Sequence, residues 1–118
     1  MGMFNQVMVP EPIHCPRCRK DRRGWFVQIY YGDLILCDYQ VGQDLVWENR
    51  WEWTGNPGIP GVWAQGVLTG CPVCGFRFRD PHEEFYIVEI RRNRIVGVIK
   101  DDSGYRWWAQ DWVAIPDR

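Results

Sequence analysis

Apolar and polar residues alternate over short runs along this chain, and turn residues punctuate them often. Residues 25–31 (WFVQIYY) and 34–39 (LILCDY) are aromatic and β-branched and flank Gly32-Asp33, which predicts a β-hairpin. Residues 45–53 (LVWENRWEW) put Trp47, Trp51 and Trp53 on one side of a strand and Val46, Glu48, Arg50 and Glu52 on the other, although a helix would also accommodate the run. Residues 54–61 (TGNPGIPG) read as a loop. A strand over 62–68 follows, then a hairpin of 84–91 with 94–100 around Arg92-Asn93, a turn at 101–104, and a last strand over 105–115. Residues 1–12 read as an extended arm, because Pro10 and Pro12 block helix. No segment sustains a 3.6-residue apolar period. The expectation is a mainly β protein, one antiparallel domain over residues 1–118.

Composition supports one folded domain. The chain has 118 residues, of which 46% are hydrophobic and 25% charged, so it is long enough for a single core and general disorder is not expected. Eight tryptophans in so short a chain suggest that some rings face a partner. Net charge is −1, against the strongly basic balance of a general nucleic-acid binder. The charge is unevenly placed, however. Residues 14–23 carry Arg17, Arg19, Lys20, Arg22 and Arg23 against Asp21, while residues 33–52 are acidic.

The cysteines carry the clearest chemistry. Cys15-Pro16-Arg17-Cys18 and Cys71-Pro72-Val73-Cys74 are two C-x-x-C turns, each able to present two sulfurs to one metal. Together they form a zinc-ribbon-like four-cysteine site joining two knuckles, with Cys15, Cys18, Cys71 and Cys74 as ligands and zinc as the expected ion. Iron on the same four sulfurs is the alternative metal. The strands between the knuckles exceed the compact zinc-ribbon spacing and read as an insertion. Gly75 after Cys74 suits a positive φ; the first knuckle has Arg19 there, whose charge would offset the thiolates. Cys37, in mid-strand, reads as a small core residue.

No hydrolase, Walker or H-E-x-x-H motif is present, and four cysteines leave no open coordination position, so no enzyme is expected. There is no secretory signal or membrane-length apolar run, which points to the cytoplasm. Two binding readings remain. A protein partner would dock on Trp47, Trp51 and Trp107. Alternatively, single-stranded nucleic acid would lie on the basic knuckles, held by Arg17, Arg19, Lys20, Arg22, Arg23, Arg77 and Arg79 beside Trp25, Phe76 and Phe78. Near-neutral net charge favours the protein partner.

The opening Met1-Gly2-Met3-Phe4, the C-P-x-C knuckle, Gln28, Asp33-Leu34 and Tyr39-Gln40-Val41-Gly42 resemble a family of small uncharacterised proteins of bacteria and their phages. Asn5 and Gln43 depart from its pattern, which has Asp at both places. The likeness covers about the first 45 residues. It implies a bacterial or phage accessory protein and supplies no mechanism.

Overall fold

The computed structural model describes residues 3–48, 53–101 and 111–116. In chain order these form β1 (Asn5–Met8), β2 (Ile13–Cys15), β3 (Lys20–Arg22), β4 (Phe26–Ile29), β5 (Gly32–Asp33), β6 (Asp38–Tyr39), β7 (Trp53–Thr54), β8 (Gly61–Leu68), the short helix α1 (Pro81–Glu84), β9 (Phe85–Arg91), β10 (Arg94–Lys100) and β11 (Trp112–Ala114). The protein is mainly β, as its alternating pattern predicts. Among the described residues no helix is long and apolar enough to cross a membrane.

The main sheet has the order β10-β9-β8-β4-β1-β6, with β11 also beside β8. Strand β8 organises it. One edge pairs with β9 from Gly61 to Val67. The other edge holds β11 at Val62–Ala64 and β4 at Val67 and Leu68. The sheet then curls on itself. Residues 42–45, just after β6, bond back to β10 and the turn before it: Gly42 N donates to Ile95 O at 2.7 Å, Ile95 N to Gln43 O at 2.9 Å, and Leu45 N to Asn93 O at 2.9 Å. One chain segment thus joins both ends of the strand order. Inside lie Val7, Val27, Ile29, Val62, Ala64, Leu68, Val88, Ile90 and Ile95, all nearly or fully buried. Each large aliphatic side chain among them contributes about 1.5–3 kcal/mol of apolar transfer.

The hairpin of 84–91 with 94–100 forms as β9 and β10, with a register shift between Ile95 and Gly97. The strand expected over 62–68 is β8. Three other expectations change. Residues 5–8 of the N-terminal arm form β1, antiparallel to β4 and parallel to β6. The hairpin around Gly32-Asp33 does not form: β4 pairs with β1 and β8, and Gly32-Asp33 pairs instead with β7. The physical reason is Asn5, which is fully buried. Its amide donates to Tyr31 O at 3.2 Å and Asp33 O at 3.0 Å, and its oxygen accepts from Cys37 N at 3.1 Å. One side chain therefore satisfies backbone groups that a hairpin would pair, and residues 34–37 loop out, with Leu36 at φ +58°.

Residues 45–48 are not a strand. Trp47 turns inward, edge-on to Tyr31 at 5.8 Å between ring centroids and to Trp53 at 4.9 Å. Its Nε1 donates to Asn93 Oδ1 at 2.7 Å. Trp51 and Trp107, the other proposed partner-contact rings, lie outside the described residues. Of the last expected strand, Trp112–Ala114 is described and forms β11.

Candidate metal centre

The two C-x-x-C turns are far apart in sequence, and the strand pairing explains why they meet. The first sits in the β2–β3 hairpin, where Cys15 faces Lys20 and Ile13 faces Arg22. That hairpin runs directly into β4. The second turn follows directly from β8. Because β4 and β8 are antiparallel, the start of one lies beside the end of the other. Thr69 seals the junction, its N and Oγ1 both donating to Phe26 O at 2.9 and 3.0 Å.

The four sulfurs converge. All lie within 4.8 Å of one another, with Cys15 Sγ 3.5 Å from Cys74 Sγ and Cys18 Sγ 3.9 Å from Cys71 Sγ. A disulfide requires about 2.05 Å, and all five cysteines are free thiols. Sulfurs placed about 2.3 Å from a tetrahedral ion stand about 3.8 Å apart, so the cluster could hold a metal ion. Cys15 and Cys71 are buried; Cys18 and Cys74 are half-buried.

Each turn also aims backbone dipoles at sulfur. Cys18 N donates to Cys15 Sγ and Val73 N to Cys71 Sγ, both at 3.4 Å. The turns close alike, Arg19 N to Cys15 O at 2.8 Å and Gly75 N to Cys71 O at 2.9 Å. Burial pushes the Cys71 thiol up, but the amides of Cys74 and Val73 and the thiols of Cys15 and Cys74 outweigh it, bringing it down to about 6. Cys74 moves the other way. The Phe76 amide favours its thiolate, yet burial and the three neighbouring sulfurs push it up to about 11. Four sulfurs this close cannot all ionise unless a cation joins them.

The backbone at the end of each turn is left-handed, at φ +58° for Arg19 and +79° for Gly75. The departure at Arg19 therefore leaves the turn geometry unchanged and adds conformational cost. A Cβ at Gly75 would meet nothing within 4 Å, so only the backbone opposes a side chain there. Arg19→Gly is expected to stabilise the protein by about 0.5–1 kcal/mol, and Gly75→Ala to destabilise it by about 1 kcal/mol. Urea denaturation of both variants measures the pair; equal and negligible shifts would contradict it.

Arg19 is exposed and is not the residue that faces the thiols. Arg22 is. Its pKa is raised by a hydrogen bond to Cys18, against the effect of burial, with the charges of Cys18, Cys71 and Cys15 adding. Its Nε is buried with no acceptor of its own. Arg22 therefore faces the cluster, a role concealed in the sequence by the five cations crowded into residues 17–23. Arg17, Arg19, Lys20, Arg23, Arg77 and Arg79 are exposed around the knuckles. Trp25 is fully buried and packs on Phe78 at 5.9 Å, which in turn meets Phe76 edge-on at 5.2 Å.

Cys37 stands apart from the cluster, on the looped segment held by Asn5. Cys37→Ala is expected to leave metal content unchanged and to cost about 1 kcal/mol, on the scale of a small core truncation. Loss of metal from that variant would contradict the ligand assignment. Comparison of the chain with protein-family models, with curated proteins and with solved structures finds no match in any of the three.

Proposed function

We propose that the four cysteines hold one zinc ion and that the zinc-stapled β domain is a non-enzymatic binding module. The convergence of the four sulfurs within 4.8 Å carries the reading. An all-thiolate tetrahedral set suits zinc and fills its coordination, leaving no position for substrate. Elemental analysis of purified protein tests it, with about one zinc per chain expected. Coloured protein containing iron, or metal-free folded protein with four freely titrating thiols, would overturn it.

The resemblance of the first 45 residues supports an accessory protein of a bacterium or phage, working in the cytoplasm. Two contact surfaces compete for the binding role. The protein-partner surface of Trp47, Trp51 and Trp107 has weak support, since Trp47 is half-buried and engaged with Asn93. The knuckle end has stronger support in its six exposed cations. We therefore favour an anionic macromolecule as the partner, bound at the knuckles.

A further inference from the structure

We infer that the knuckle cap binds single-stranded nucleic acid, gripping phosphates with its arginines and offering the Arg17–Phe76 cation–π pair to a base. The inference rests on the anionic-partner reading above. Residues 14–23 and 71–79 contain seven of the chain's 14 Lys and Arg and one of its 15 Asp and Glu. The sulfur cluster holds these segments together. A chain of net charge −1 is therefore strongly polarised, cationic at the knuckles and anionic elsewhere. The formal charge of −2 on a four-thiolate zinc site does not cancel the cationic excess. Such a patch concentrates field and attracts polyanions despite the neutral total.

Arg17 decides between anions. Its guanidinium lies 5.7 Å from the centroid of the Phe76 ring, and its Nη1 donates to Cys74 O at 3.3 Å. A guanidinium held near a ring by a cation–π contact and a backbone hydrogen bond leaves a planar surface that a nucleobase can stack on. An acidic peptide gains nothing from that flat face. A duplex does not expose base faces, and the only helix among the described residues, Pro81–Glu84, is too short to read a major groove. Trp25 and Phe78 are packed against each other, so the phosphates carry most of the contact and sequence preference is low.

Fluorescence anisotropy of the zinc-loaded protein tests this with three probes: a mixed-sequence DNA single strand of about 12 nucleotides, the same sequence as duplex, and a polyglutamate peptide. The single strand is expected to bind tightest, with log K falling against log salt at a slope of about −3, as four or five phosphate contacts require. Arg77→Glu with Arg79→Glu should make that slope shallower by about 1.4 and weaken binding about tenfold or more. Arg17→Lys keeps the charge and removes the flat face; it should cost about tenfold with the slope unchanged. Arg92→Gln, on the β9–β10 turn, should change neither. Zinc content and far-UV circular dichroism confirm that each variant is folded. Tightest binding to polyglutamate overturns the single-strand inference and leaves the anionic-partner reading standing. Equal binding of duplex with a silent Arg17→Lys does the same. No binding of any probe at low salt by fully zinc-loaded protein overturns both.

Discussion

Stripping the proposed zinc ion with a strong chelator at neutral pH is expected to unfold the whole domain, beyond the two cysteine turns. The site clamps residues 53 and 59 positions apart, at the junction where β4 meets β8. Structural zinc contributes on the order of 10 kcal/mol in small domains. A domain of this size has a total stability of about 5–15 kcal/mol, so the metal term rivals the whole. Near-UV circular dichroism should lose its fixed aromatic signal on chelation and regain it when zinc is returned. Cys74→Ser should behave like the stripped protein, since three thiolates and a weak fourth donor hold zinc poorly. Retention of near-UV signal with the metal removed would show that the strands alone hold the fold.

Asn5→Ala should be strongly destabilising although it lies away from the metal cluster. The side chain is fully buried and makes three hydrogen bonds to backbone groups of Tyr31, Asp33 and Cys37. Its removal leaves the Tyr31 carbonyl and the Cys37 amide without that partner, while Asp33 O keeps the bond it accepts from Ile35 N at 2.9 Å. Each of these two stranded groups costs about 1–3 kcal/mol, so a loss of about 2–4 kcal/mol is expected, with partial relief where water enters. Urea denaturation at constant zinc measures it. A loss under about 1 kcal/mol would mean that residues 31–37 hold their shape without the amide.

These two sites differ in how plainly the sequence announces them. The cysteine turns are legible because metal chemistry demands a fixed spacing, and their meeting requires only that two strands pair. Strands β8, β9 and β10 are legible for a related reason: each is seven or eight residues long, and the tight Arg92-Asn93 turn makes one pairing local. Asn5 carries no such signal. Its partners lie 26 to 32 positions away, and a buried asparagine in a four-residue strand looks like any polar residue near a terminus. Gly32-Asp33 misleads for the same reason, since the pull of Asn5 on Tyr31 and Asp33 outweighs the local preference for a turn. Trp47 alternates correctly for a strand face, yet the hydrogen bond to Asn93 and the edge contact with Tyr31 draw it inward. Arg22 reads as one more surface cation until the folded hairpin, where it pairs with Ile13, brings its guanidinium to Cys18.

The order of the four cysteines along the chain has a consequence for biosynthesis. Cys15 and Cys74 are 59 positions apart, and ribosomes add roughly 5–20 residues per second. For roughly 3–12 seconds, then, a nascent chain displays one finished cysteine turn and no second. Its first hairpin, β2–β3, is local and can form at once, but it offers the metal only two sulfurs. Strand β4 also waits, since its partners in β8 lie 39 and 41 positions further along the chain. During that interval the leading dithiol is open to thiol exchange, to stray soft metals and to neighbouring nascent chains on the same message. Slower translation between the two turns should therefore lower the yield of metal-loaded protein, and zinc supply should matter most at the moment the second turn leaves the ribosome.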